Sequence, residues 1–116
     1  MSGDPMAARL AMLGRVGGDK LIDDLIDLVL EGTPRKLEAA RAALAEGNAD
    51  GVGQVAHALA SSAGNLGAAD MQEAAYAVER CAGGEAGDLA ELLHRLEASW
   101  ESARDRLAEI KRGLSA

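Results

Sequence analysis

The residue in this sequence best suited to chemistry is His57, which lies within a segment of helical apolar pattern. On a helix that turns by about 100° per residue, the apolar side chains of this segment fall within about 60° of Leu59. They are Val52, Val55, Ala56, Ala63 and Leu66. His57 falls about 160° from Leu59 in the same projection, so its imidazole is expected to face outward.

The chemistry open to an isolated, outward-facing imidazole is limited. A ring nitrogen keeps a lone pair near neutral pH, and that lone pair can accept a phosphoryl group. The sequence places no second His or Cys at a metal-ligand spacing around His57 and no Ser or Cys nucleophile beside an evident base. We therefore expect no metal site, and an enzyme with His57 as general base lacks an orienting carboxylate and an oxyanion site in the sequence.

The neighbours of His57 on its helix face are unusually bare for an acidic protein. They are Gly53, Gln54, Ala60, Ser61 and Gly64, none of which carries a charge. A glycine inside a helix costs about 0.5–1 kcal/mol relative to alanine, so two of them beside the imidazole indicate a need for close approach. We predict that these five residues, with Tyr76 on the next helix, form a docking surface for another protein. Tyr76 is equally compatible with a lone exposed aromatic side chain.

The alternative for His57 is a solvent-facing residue without a role, and His94 illustrates that case. His94 also points away from an apolar stripe, but it is surrounded by ordinary charged side chains. These are Glu91, Arg95, Glu97 and Glu101. The uncharged face around His57 favours the functional interpretation for that residue alone.

Composition narrows the class of partner. The chain has 116 residues, 12 basic and 19 acidic, with a net charge of −7. Such a surface repels phosphate backbones and anionic lipids, so neither nucleic acid nor a membrane is expected as a partner. The single Cys81 excludes an intramolecular disulfide and is typical of a reducing compartment. Residues 1–5 lack the features of a signal peptide, and a cytoplasmic location is expected.

Abundant Ala and Leu with few β-branched or aromatic residues predict an all-α fold. Turn and capping signals divide the chain into helical segments over about residues 5–15, 19–31, 34–46, 50–66, 68–82 and from 88 onward. Gly17-Gly18 and Gly32 are expected to end the first two segments, Thr33-Pro34 to open the third, and Asp50 to cap the fourth. Because short loops favour antiparallel neighbours, we expect an up-and-down antiparallel four-helix bundle with a short N-terminal capping helix, in a single domain over residues 1–116.

The residues around His57 resemble the signature of the histidine phosphotransfer (HPt) domains of bacterial phosphorelays. In that family an Ala-His pair is followed by Leu, then Lys-Gly-Ser-Ala, then Leu-Gly-Ala, and by Leu-Glu on the next helix. The matching residues here are Ala56-His57, Leu59, Ser62-Ala63, Leu66-Gly67-Ala68 and Glu79. The chain is also similar to the family in length and helix order.

Two positions depart from this signature. Ala60 stands where the family has Lys, and Ser61 stands where it has Gly. The family's Lys lies near the phosphoryl oxygens and offsets their charge, so either another cation replaces it here or the phosphorylated form is less stabilised. Folding the helices back on each other about Asn48 brings Arg41 level with Val55 or Ala56, and we predict that Arg41 is the phosphate-proximal cation. Arg35 and Lys36, or a cation supplied by the partner, are the alternatives.

The resemblance implies that His57 accepts a phosphoryl group from a receiver-domain aspartate and passes it to another receiver. The implied partners are receiver domains of response regulators and hybrid histidine kinases, which supply the catalytic apparatus, so the chain itself is a phosphocarrier and not an enzyme. No cofactor and no nucleotide is expected, because the sequence has no Gly-rich phosphate loop. The absent Lys keeps open an alternative, an HPt-like adaptor that cannot be phosphorylated and serves as a helical interaction module.

Overall fold

The computed structural model of the chain describes residues 4–115, with side chains over 4–114. Residues 1–3 and 116 lie outside the described residues. They are part of the predicted domain, and residues 1–3 are also part of the segment on which the signal-peptide argument rests. Within the described part there are four helices and no strand. These are α1 (Pro5–Ala45), α2 (Ala49–Leu66), α3 (Ala69–Ala82) and α4 (Leu89–Ser115). The prediction of an all-helical chain is confirmed for this part.

Helix α1 contains two predicted breaks, which behave differently. At Gly18 the backbone leaves the helical region, with φ 77° and ψ −177°, and the helix is kinked where the Gly17-Gly18 pair predicts a break. At Gly32 and Thr33-Pro34 the prediction is wrong, because the helix continues through Pro34 and Thr33 is only 5% exposed.

Burial explains why α1 does not stop at Pro34. Unbroken winding keeps one set of residues on a single buried stripe along the helix. The set consists of Ile22, Ile26, Thr33, Leu37 and Ala40. A break would turn the later members of this stripe away from the core, and their burial outweighs the backbone hydrogen bond that a proline cannot donate.

Both ends of α2 are fixed by local hydrogen bonding and by a glycine. Asn48, and not the predicted Asp50, caps its start, because the Asn48 side chain accepts a hydrogen bond from the Gly51 N–H at 2.9 Å. Gly67 ends α2 in the left-handed conformation with φ 74°, directly after the predicted segment 50–66. A side chain at Gly67 would approach the Pro5 carbonyl oxygen to 2.7 Å, so the first residues of α1 pass directly over the α2–α3 turn.

The helices enclose one apolar core. Each helix packs against its neighbours in the chain, and α4 also packs against α1. The largest fully buried side chains are Leu10, Ile26, Val52, Leu59, Val78, Leu93, Leu96 and Leu107. Trp100 is buried among them, and Cys81 is half-buried.

Ion pairs join α4 to α1 along the surface. Lys111 lies 2.8 Å from a carboxylate oxygen of Asp23 and 2.7 Å from one of Asp27. Arg106 pairs with Asp4, whose other role is to cap α1 by accepting hydrogen bonds from the N–H groups of its first turn. Among the residues described, no helix has both the length and the apolar content needed to cross a membrane.

Candidate functional site

Helix α2 presents His57 to solvent. Val52, Ala56 and Leu59 are buried on the opposite side of the helix and anchor it to the core, whereas the His57 side chain is 68% exposed. The imidazole is therefore reachable by another molecule, which is the orientation that the helical projection predicts.

Helix α3 supplies a carboxylate that orients the imidazole. Oε2 of Glu79 lies 2.7 Å from Nδ1 of His57. Because an ionised carboxylate can only accept a hydrogen bond, Nδ1 must carry the hydrogen and donate it. In the neutral ring the lone pair is then on Nε2, the nitrogen that Glu79 does not contact.

The glycines on this side of α2 allow α3 to approach it. A Cβ at Gly53 would lie 3.1 Å from the Cβ of Ala82, and a Cβ at Gly64 would lie 2.2 Å from Nε2 of Gln72. The bare helix face is thus partly covered by α3, within the same chain. Close approach of α3 is thus a second reason for both glycines, beside the predicted docking of another protein.

His57 and Glu79 lie in a shallow cleft between α2 and α3, with a volume of about 460 Å³. Its lining residues are Asp50, Gly53, Gln54, His57, Glu79, Ala82 and Gly83. Of the described residues, those lining this cleft include two carboxylates and neither Lys nor Arg. The cleft is therefore an acidic setting for a group that would carry negative charge.

The structure contradicts the prediction that Arg41 lies near the phosphoryl group. Nε of Arg41 donates to Oε2 of Glu97 at 2.9 Å, and a second guanidinium nitrogen donates to the other carboxylate oxygen. These hydrogen bonds raise the pKa of Arg41 above its usual value, against the opposing effect of burial. Arg41 lies on α1 at the boundary with α4, and its guanidinium forms an ion pair with Glu97 of α4. It therefore faces α4 and does not line the α2–α3 cleft.

The predicted docking residues are divided by the structure. Ala60 is only 1% exposed, so its place in a docking surface is wrong: it lies beneath the Gln72 side chain, whose Nε2 donates to the Ala60 carbonyl oxygen at 3.3 Å. Gln54 and Ser61 are exposed, and Gly53 and Gly64 are half-buried. Tyr76 is 42% exposed on α3, and its hydroxyl accepts a hydrogen bond from Gln72 at 3.4 Å.

Sequence reasoning missed the contact between Glu79 and His57, although a signal for it exists. In the sequence, Glu79 stands out only as part of the family signature. His57 and Glu79 each stand eleven residues from Ala68, at the turn between the two helices. A helical hairpin that folds at this turn brings residues at equal distances from it to the same level, which would have paired them.

No group of three or more His, Cys, Asp or Glu residues within the described part is arranged to bind a metal ion. The family model described as the Hpt domain matches residues 24–116. No curated protein and no solved structure gives a significant match to the chain.

Proposed function

This chain belongs to the Hpt domain family, and on that premise we propose that it carries phosphoryl groups on His57 between receiver domains of a two-component phosphorelay. Hpt domains are modules of histidine phosphotransfer in such relays. The observation that supports His57 as the carrier is its exposed imidazole, with Nδ1 bound by Glu79 and Nε2 left as the reactive nitrogen.

The proposed transfer is a substitution at phosphorus. The Nε2 lone pair of His57 forms the N–P bond while the P–O bond to the receiver aspartate breaks, and that electron pair leaves with the aspartate carboxylate. Nδ1 keeps its hydrogen, which Glu79 accepts throughout, so no proton has to move in this step. Donation to a second receiver is the same substitution in reverse, with its aspartate as the nucleophile.

We assign the catalytic groups to the partner. A receiver domain would supply the acidic pocket, Mg²⁺ and lysine that polarise the phosphoryl group, so His57 needs only to be reachable and correctly oriented. The chain then acts as a phosphocarrier and not as an enzyme, without a cofactor of its own. A cytoplasmic location, where receiver domains of response regulators and hybrid kinases would meet it, is part of this proposal.

The proposal takes residues 1–116 as one up-and-down antiparallel four-helix bundle, with the residues before Gly18 as its N-terminal cap. Two ion-pair sites support the opposite directions of α1 and α4. Arg41 pairs with Glu97, whereas Asp27, earlier in α1, pairs with Lys111, later in α4. Met6 and Leu10, which precede the kink at Gly18, are buried in the core. Their burial supports the capping role of this N-terminal segment.

A second candidate function is an adaptor that docks receivers without carrying phosphate. The acidic lining of the cleft and the replacement of the family's Lys by the buried Ala60 favour it. Under this alternative the interaction surface persists, and the phosphoryl group is never accepted.

One experiment separates the two functions. The chain is incubated with a phosphorylated receiver domain, and we expect label that is acid-labile and alkali-stable, as a phosphoramidate bond is. His57→Gln should abolish this label, while His94→Gln, which changes an exposed histidine on α4, should retain it. Binding of receivers without label on the unaltered chain would favour the adaptor.

A further inference from the structure

The proposed function, on which this inference rests, leaves open which group in the cleft contacts a negatively charged phosphoryl group on His57. A phosphoryl group on Nε2 would share the cleft with Asp50 and Glu79, two carboxylates of the same sign of charge. Arg41 is bound to Glu97, and the position of the family's Lys is the buried Ala60. The described residues that line the cleft include no Lys or Arg, so a hydrogen-bond donor to the phosphoryl oxygens from within the cleft has to be a neutral group.

The lining of the cleft leaves one side chain able to donate such a hydrogen bond. Asp50 and Glu79 are hydrogen-bond acceptors, and Gly53, Ala82 and Gly83 have no polar side-chain group. The backbone N–H of Gly83 already donates to the carbonyl oxygens of Glu79 and Arg80. Apart from His57 itself, only the Gln54 side chain offers hydrogen-bond donors.

The position of Gln54 suits this contact. It precedes His57 by three residues on α2, so the two side chains are neighbours on one helix face. A helical side chain leans over the turn that precedes it, which directs the imidazole toward Gly53 and Gln54, and these residues line the same cleft. The exposed Gln54 amide has no hydrogen-bond partner among the residues that the structure describes.

We propose that the side-chain amide of Gln54, beside His57 in the α2–α3 cleft, donates a hydrogen bond to the phosphoryl group on Nε2. It supplies a neutral donor where the family uses an ammonium. A neutral donor bonds an anion more weakly than a charged one does, so the phosphorylated form is stabilised enough to exist but is readily discharged to a receiver.

The first test uses a spectroscopic signal of the contact. The unaltered chain is phosphorylated with phosphoramidate, a small donor that needs no docking surface, and side-chain amides are followed by ¹H–¹⁵N NMR. We expect the Gln54 amide protons to shift downfield on phosphorylation and to return as the phosphohistidine hydrolyses. The Asn65 amide, exposed on the same helix outside the cleft, should not move. A Gln54 amide unmoved in the phosphorylated protein overturns the proposal.

The second test measures the stability of the phosphorylated form. Gln54→Leu removes the donor and Gln54→Glu adds a third carboxylate, and both changes are at an exposed site. At equilibrium with a phosphorylated receiver, we expect the phosphorylated fraction relative to receiver to fall about two- to tenfold for Leu and further for Glu. Asn65→Asp, which adds the same charge on the same helix, is the matched control and should behave as the unaltered chain. Equal fractions in all four proteins overturn the proposal.

These outcomes distinguish failure of the inference from failure of the proposed function. If neither phosphoramidate nor a phosphorylated receiver labels the unaltered chain, both are overturned. A second outcome is that the chain is labelled at His57 while the Gln54 amide does not shift and the Gln54 variants reach the same phosphorylated fraction as the unaltered chain. In that case only the present inference is overturned.

Discussion

At the scale of single residues, the hydrogen bond from His57 to Glu79 decides which ring nitrogen is available to react. Removing the carboxylate in Glu79→Ala lets the ring hydrogen occupy either nitrogen and frees the imidazole to rotate. A hydrogen bond of this exposed kind contributes about 0.5–1.5 kcal/mol, so we expect phosphoryl transfer to slow by about two- to tenfold. Nitrogen NMR of His57 should show loss of the protonated Nδ1 signal, and a transfer assay should show the rate.

Glu73 provides the matched control for this prediction. It is an exposed glutamate on the same helix, and it lies outside the cleft that contains His57. Glu73→Ala should leave both the nitrogen spectrum and the transfer rate unchanged. If Glu79→Ala transfers as fast as the unaltered chain, Glu79 does not position the imidazole.

The outward placement of His57 was predictable from sequence, whereas the contacts of Arg41 and Ala60 were not, and the reason is physical. Helical periodicity fixes the direction of a side chain about its own helix, which suffices for His57. The contacts of Arg41 and Ala60 depend on how neighbouring helices are arranged around them. One projection of α2 gives no information on the position of α3, so the projection places Ala60 on the surface although α3 covers it.

At the scale of the helices, Gly67 is the turn on which the α2–α3 pair depends. Its φ of 74° is unfavourable for any residue with a Cβ, and a Cβ there would also meet the Pro5 backbone at 2.7 Å. Gly47, with φ 71°, has open space around it and so separates the two effects. Gly47→Ala should cost about 1–2 kcal/mol of unfolding free energy from backbone strain alone.

Gly67→Ala should cost more than Gly47→Ala, about 2–5 kcal/mol, since overpacking adds to the strain. Denaturant unfolding of the two variants measures the difference. Equal losses of stability would show that residues near Pro5 do not press on the α2–α3 turn.

The second prediction at this scale concerns the attachment of α4 to α1. Hydrogen bonds to Asp23 and then Asp27 raise the pKa of Lys111 to about 12 from 10.5. Because the pKa of Lys111 is higher in the folded chain, the charged Lys111 stabilises the fold fully below pH 10.5, and this contribution is lost as the pH rises toward 12. The difference in unfolding free energy between the unaltered chain and Lys111→Met should therefore stay constant up to about pH 10.5 and then shrink.

Lys20 serves as the control for Lys111. It pairs with Asp24 within α1 and joins no second helix, so Lys20→Met should change stability little. Chemical unfolding of the three proteins between pH 7 and pH 11.5 measures the effect. A Lys111→Met difference that persists undiminished at the alkaline end would contradict the assigned pKa.

The helix ends show which local signals tertiary packing can override. The Gly17-Gly18 pair breaks the helix because Gly18 adopts a positive φ that no packing opposes, and a Cβ there would meet open space. Pro34 is the stronger local signal for a helix boundary, yet the buried stripe through Thr33 and Leu37 keeps α1 continuous. The buried residues on either side of Gly32 to Pro34 keep one helical phase in the sequence, and this periodicity predicts the continuous helix better than the proline does.

At the scale of the whole molecule, the N-terminal part of α1 joins the fold at the end remote from the cleft. Met6 and Leu10 are buried, and Arg106 of α4 pairs with Asp4. The family match begins at residue 24, so this segment lies outside the matched region. Stability and the proposed phosphotransfer should therefore be separable. The N-terminal segment contributes to stability, and the residues of α2 and α3 would determine the proposed phosphotransfer.

Leu10 and Met12 test this separation, because they are large apolar residues two positions apart with opposite exposure. Leu10 is 1% exposed and Met12 is 54% exposed. Leu10→Ala should lower the unfolding free energy by about 2–5 kcal/mol, since it removes buried contacts and leaves a cavity, while Met12→Ala should change it by less than about 0.5 kcal/mol. At a temperature where both variants remain folded, each should accept phosphate on His57 at the rate of the unaltered chain. A slower rate in folded Leu10→Ala alone would mean that the far end of the bundle is coupled to the cleft, and that the N-terminal segment helps to hold α2 and α3 in the arrangement that brings Glu79 to His57.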